Sequence, residues 1–158
     1  MPDKKPKQTD ALPAEALWFQ AINEIGIINQ LTTAEFTKVM PHGLTLAQFT
    51  VLNHCVRMGD NRTPADLAAA FQITRGTLTS TLKRLEAKGF ITLAPDPEDG
   101  RSKRVLLTKQ GRSAREDAIA ATTPLFANLI STLPASLVDE LMPRLQELRK
   151  YLDENRSN

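Results

Sequence analysis

The stretch TPADLAAAFQITRGTLTSTLKRLEAKG, residues 63–89, opens two helices within eleven residues of each other. Thr63 is an N-cap, with Pro64 at the first helical position and Asp66 in the first turn. There a missing N–H is harmless and a negative charge meets the positive end of the helix dipole. Thr74 is the second cap, Ile73 and Leu78 are placed as its hydrophobic staple, and Gly89 ends the run. The sequence predicts helices over about 63–71 and 75–88 joined by the turn Phe71-Gln72-Ile73, which is the layout of a helix-turn-helix.

The second helix has two unlike faces. Leu78, Leu82 and Leu85 fall together, and the opposite side carries Gly76, Ser80, Lys83 and Ala87, flanked by Thr77, Thr79 and Arg84, with Arg75 at the start. Small, hydroxylated and basic residues can enter a major groove and donate to base edges and phosphates. The alternative is a merely solvated face, but surface helices favour Glu and Lys there. The hydroxyls of Thr77, Thr79, Ser80 and Thr81 lower helix propensity without an evident structural return.

Two short β-type runs follow, FITLA and KRVLL, with the turn signal Asp99-Gly100 between them, so PDPEDGRS is the tip of a hairpin. This hairpin is expected to act as a wing. Arg101, beside the flexible Gly100, is placed to reach an adjacent minor groove, and Lys103 and Arg104 are expected phosphate contacts. Asp99 is expected to orient Arg101 or Arg84, leaving the acids Asp96 and Glu98 at the edge. An ordinary solvated hairpin is the plainer reading. From Arg62 to Arg104 there are eight Lys or Arg against five acids, an excess of three within a chain of net charge +2, so the positive charge gathers on the proposed DNA side.

The remaining helices ask for a partner. From about Pro13 to Val39, apolar residues including Leu17, Trp18, Ile22, Ile25 and Leu31 recur at helical spacing over more than one stripe. Thr45 and Gln48 form a capping box for the next helix, with Leu44 and Phe49 as staple. Beyond the N-cap Thr108, a helix runs toward Ile130, and Leu137, Leu141, Leu145, Leu148 and Leu152 then repeat at spacings of four, four, three and four. Pro124 and Pro143 are expected to bend or split these helices. A second copy of the chain is the economical cover for such stripes, and a two-fold dimer sets two reading helices roughly 34–36 Å apart on a palindrome. A monomer folded upon itself is the alternative.

At 158 residues and 41% hydrophobic, the chain fits one domain, or two small sub-units sharing one core. The lone cysteine, Cys55, suits a reducing compartment, no 18-residue apolar run offers a membrane span, and MPDKKPKQTD has no signal-peptide centre. The expectation is a cytoplasmic protein with a disordered basic tail at 1–11, an N-terminal dimerisation helix at 12–42, a winged helix-turn-helix DNA-binding lobe at 43–108 and C-terminal dimerisation helices at 109–155. The fold class is mainly α with a small β-hairpin wing.

This order of elements resembles the MarR family of bacterial winged-helix regulators over roughly residues 13–153. The specific part is local: LKRLEAKGFI followed by DPEDGRSKRVLLTKQG matches the family's recognition-helix end, its wing with Asp-x-Arg, and its Leu-Thr-x-x-Gly opening of the next helix. The resemblance implies that Arg101 enters the minor groove, that Asp99 helps hold the wing, and that the protein is a homodimer, more often a repressor than an activator. Many members carry an arginine or similarly long residue where this chain has Ser80, so the operator does not transfer from relatives. The resemblance also implies a small aromatic or phenolic effector, in a cleft that Trp18, Ile22, Phe36, His42, Phe49 and Leu52 would line. The same residues can equally be plain core.

Other chemistries find little support. Cys55, within VLNHCV, is expected to be a buried small hydrophobe rather than a sensor thiol, since only Arg57 is close in sequence. Glu24, His42, His54 and Cys55 are metal-ligand types without paired spacing, so neither a metal nor a cofactor is expected. There is no phosphate loop or nucleophile elbow, and His54 and Cys55, adjacent on a helix, point about 100° apart. The chain is therefore expected not to be an enzyme. The competing function is a winged helix that binds proteins and not DNA.

Overall fold

The computed structural model describes residues 12–99 and 101–156, so the tail expected to be disordered and Gly100 of the expected wing tip lie outside the described residues. The chain divides into two compact units, Met1–Lys38 and Val39–Asn158. The described residues of the first unit are essentially one helix, α1 (Ala14–Val39), with Glu15 in its first turn and Lys38 in its last, as the dipole prefers. None of its residues is buried, and Trp18 and Phe19 are 60% and 73% exposed.

The second unit holds α2 (Leu46–Met58), α3 (Pro64–Phe71), α4 (Arg75–Ala87), β1 (Ile91–Pro95), β2 (Lys103–Leu107), α5 (Lys109–Thr132) and α6 (Ala135–Glu154). Local chemistry sets most of these bounds. Thr45 with Gln48 and Thr63 with Asp66 form reciprocal capping boxes, and Thr74 and Thr108 each accept an amide of the first turn. Between α3 and α4, Gln72 takes the left-handed conformation at φ 53°, and Gly89 does so at φ 72° after α4. Strands β1 and β2 pair antiparallel from Ile91↔Leu107 to Pro95↔Lys103. A single-residue bridge from Arg62 to Val105 adds a third lane that the sequence pattern did not announce.

One core sits beneath these elements. Leu52, Leu67, Leu78, Leu82, Leu85, Ile91 and Val105 are its largest enclosed side chains, contributed by α2, α3, α4 and both strands. Burial of each such side chain is worth roughly 1.5–3 kcal/mol. The first half of α5 belongs to this core, through Gly111, Ala114, Ala118 and Thr122. At Gly111 a Cβ would stand 2.0 Å from the Phe90 carbonyl oxygen, so the Leu-Thr-x-x-Gly spacing serves a close approach of helix to strand.

Pro124 and Pro143 lie inside continuous helices, correcting the expectation of a split. Each removes a single N–H, and the neighbouring turns keep theirs. The real break falls at Leu133-Pro134, where the axis turns by 113° between α5 and α6. No residue of α6 is buried. Among the described residues, no single helix is long and apolar enough to cross a membrane, and no group of three or more His, Cys, Asp or Glu is placed to hold a metal.

Candidate nucleic-acid interface

Leu78, Leu82 and Leu85 hold α4 against the core, and the turn of the helix then fixes what points away. Arg75, Gly76, Thr77, Thr79, Ser80, Lys83 and Arg84 are all exposed. Among the described residues, the side chains of Arg75, Ser80, Lys83 and Arg84 make no hydrogen bond or ion pair, so their donors face outward uncommitted. The threonines differ. Thr74 and Thr77 share a hydroxyl contact of 2.8 Å at the cap, Thr79 Oγ1 donates to the Arg75 carbonyl at 2.7 Å, and Thr81 Oγ1 to that of Thr77 at 3.2 Å. Three of the four hydroxyls are therefore taken up within the helix, at Thr77, Thr79 and Thr81, and that of Ser80 is not. Side chains that bond back to their own helix need no other partner.

The wing is built around a carboxylate the sequence reading left at its edge. Asp96 is only 6% exposed. Its Oδ1 accepts the Glu98 amide at 3.0 Å, and its Oδ2 takes Arg104 Nε at 2.7 Å. Arg104 Nη1 continues to the Asn61 carbonyl at 3.0 Å. The hydrogen bond from the Glu98 amide, with the Arg104 guanidinium behind it, holds the Asp96 carboxyl below the usual carboxylate range against its partial desolvation. Arg104, expected on phosphate, is thus an internal brace. The Leu107 amide donates to Asp60 Oδ2 at 3.0 Å and the Asn61 amide to the Val105 carbonyl at 2.8 Å, so the hairpin is tied to the segment that enters α3. The signal in sequence was Asp96-Pro97-Glu98, an Asx-turn pattern, but Asn61, whose carbonyl Arg104 reaches, is remote along the chain.

Asp99 does shape the tip, through the backbone rather than the guanidinium. Its Oδ1 accepts the Arg101 amide at 3.0 Å and its carbonyl accepts the Ser102 amide at 2.8 Å. The Arg101 and Lys103 side chains are exposed and, among the described residues, without partners. A further fastening was missed. Lys88 Nζ, at the end of α4, donates to the carbonyls of His42 (2.8 Å) and Gly43 (3.2 Å), while His42 Nε2 lies 2.7 Å from Asp117 Oδ2 of α5.

The six residues expected to line an effector cleft divide between the units. Trp18 and Ile22 are exposed and Phe36 is half-buried in the first unit. In the second, Leu52 is fully enclosed in the core, Phe49 packs against it, and His42 is exposed. Leu52 thus takes the plain core role that the sequence reading held open. Cys55 is 1% exposed, and burial, with Asp60 adding, pushes its thiol up to about 11 despite Arg112. His54 is half-buried with its ring edge-on to Phe71 at 5.0 Å, and desolvation, then Arg62 and Arg57, hold its pKa below 6.5.

A buried leucine row behind an exposed basic helix, with a braced hairpin beside it, defines a winged helix-turn-helix DNA-binding transcriptional regulator. The MarR family profile matches residues 42–102. Over 127 residues the chain is 30% identical to the transcriptional activatory protein BadR of Rhodopseudomonas palustris, covering 79% of this chain and 71% of that one. An uncharacterized HTH-type transcriptional regulator of Bacillus cereus is 30% identical over 135 residues, 83% of this chain and 87% of its own. Among solved structures, a cysteine-to-serine mutant of MarR from E. coli complexed with operator DNA superposes with a TM-score of 0.70 at 27% identity, over 87% of this chain and 99% of that one. The chain belongs to the MarR family, whose members are transcriptional regulators and not enzymes.

Proposed function

We propose that the protein acts in the cytoplasm as a homodimeric repressor on a palindromic operator, with α4 in the major groove, Arg101 in the minor groove, and affinity tuned by a small aromatic or phenolic ligand. The observation that carries the DNA reading is the contrast between Arg104, tied to Asp96 and Asn61, and Arg75, Lys83, Arg84 and Arg101, whose charges have no partner among the described residues. Basic side chains left uncommitted on a rigid support suit phosphate and base-edge contacts. The dimer is supported by α1 and α6, which carry rows of apolar side chains and bury none of them. A ligand alters operator affinity only if it binds the DNA-competent spacing of the two lobes differently from the incompetent one.

The test is selection of bound duplexes from a random pool, then a salt titration of the best duplex with wild type and Arg101→Ala. A palindromic winner, a weaker mutant and a log-log salt slope of about 0.9 per phosphate contact are expected. No enrichment at low salt would sink the DNA reading in favour of a protein-binding module. BadR is named an activatory protein, so the sign of regulation is read separately, from transcription of a promoter overlapping the selected site: a rise on adding protein would overturn the repressor reading.

A further inference from the structure

Helix α4 carries a glycine that the fold does not require. Gly43, Gly59 and Gly89 have φ of +60°, +86° and +72°, and Gly111 is hemmed in by the Phe90 carbonyl. Gly76 has neither reason. It sits in the first turns of an α-helix, is exposed, and a Cβ on it would meet only Thr74 Oγ1, at an ordinary 3.9 Å. Alanine would fit there and would favour the helix, because glycine has more backbone freedom to lose on folding. Among the described residues nothing calls for a bare Cα there, and an interaction outside them is the remaining reason to have no side chain.

What that interaction is follows from the surroundings. Gly26 in α1 is equally open, but Ile22, Ile25 and Ile27 around it are apolar and exposed. Gly76 lies beside Arg75 and on the same face as Ser80 and Lys83, polar or charged side chains without partners among the described residues. That setting suits a polyanion, not an apolar surface. We infer that Gly76 is a DNA-contact residue: its bare Cα admits the sugar-phosphate backbone closer to α4 than a side chain would allow, and this seat sets how deeply Ser80 and Lys83 enter the groove. The inference rests on the reading of α4 as the DNA-facing helix.

Two measurements on Gly76→Ala with opposite expected signs test it, with Lys83→Ala beside it. Thermal unfolding is expected to shift up by about 2–4 °C, the gain from replacing a helical glycine. Affinity for the selected operator, or for a random-sequence duplex at low salt if selection fails, is expected to fall about tenfold or more. A variant that melts higher and binds as well as wild type overturns the inference, and if Lys83→Ala is weakened the α4 reading stands. A variant that melts lower also overturns it, because the glycine would then serve the fold. If neither substitution weakens binding, α4 does not face DNA and both readings fall.

Discussion

The leucines of α4 and those of α6 repeat at almost the same helical spacing and end in opposite surroundings. Leu78, Leu82 and Leu85 are enclosed, whereas Leu137, Leu141, Leu145 and Leu152 are between 37% and 54% exposed. The pattern states that a face needs cover, and the covering element decides whether that need is met within the chain. For α4 the cover is α2, α3 and the hairpin. For α6, no described residue of its own unit buries the row, which is why stability of the two regions should respond differently to the same substitution.

Leu82→Ala should show the largest effect, a loss of about 2–5 kcal/mol from transfer and cavity terms, read by urea unfolding and independent of protein concentration. Gly111→Ala follows: its Cβ cannot be placed without moving the Phe90 carbonyl, so a loss of about 1–3 kcal/mol or more is expected, and a neutral result would mean that the α5–hairpin junction is loose. Leu141→Ala is expected to lower stability by about 1 kcal/mol and by an amount that grows on dilution, because the cover proposed for it is a second copy. A loss unaffected by dilution, or none, would erase the contrast between the two rows.

Acid should act on the winged core in two smaller steps. His54 has its folded pKa below 6.5, so the unfolded chain takes the proton first. Stability then declines as pH falls below about 6.5 and levels off below the folded value. Asp66 and Asp96 are held below 3.8 by the Thr63 side chain and by the Glu98 amide respectively, so what they contribute is present above that value and lost as pH falls through their folded pKa values. Urea midpoints against pH for wild type, His54→Asn and Asp96→Asn should separate the steps, with the upper one missing in the first variant. Least affected of all should be Cys55: at pH 8 its thiol should label only as fast as the core opens, and prompt labelling of native protein would contradict its enclosure.

What could be read from sequence was mostly what neighbours along the chain decide. The caps at Thr45, Thr63, Thr74 and Thr108, the buried face of α4 and the hairpin around Asp99 depend on residues within a few positions of each other. The Asp96–Arg104–Asn61 brace was not legible, because the carbonyl it ends on lies 43 positions from Arg104 and a surface-type residue was buried to reach it. The division of the expected effector residues was hidden for a related reason. Helical periodicity marks Trp18 and Leu52 alike as apolar, yet Leu52 is enclosed and Trp18 is not. The prolines of α5 and α6 do not split their helices, since the loss of one N–H is outweighed by the intact turns around it.

With α4 in the major groove as proposed, its back-bonded threonine narrows the alphabet the helix can read. Thr79 gives its only hydroxyl hydrogen to the Arg75 carbonyl, leaving two lone pairs and a methyl group to the outside. Such a group answers to the amino hydrogens of adenine N6 or cytosine N4 and to the thymine methyl, and has nothing to offer guanine O6 and N7. Ser80, Lys83 and Arg84 keep their hydrogens and can address those acceptors. An operator logo is therefore expected to place guanines under Ser80, Lys83 and Arg84, and A·T pairs or cytosines under Thr79.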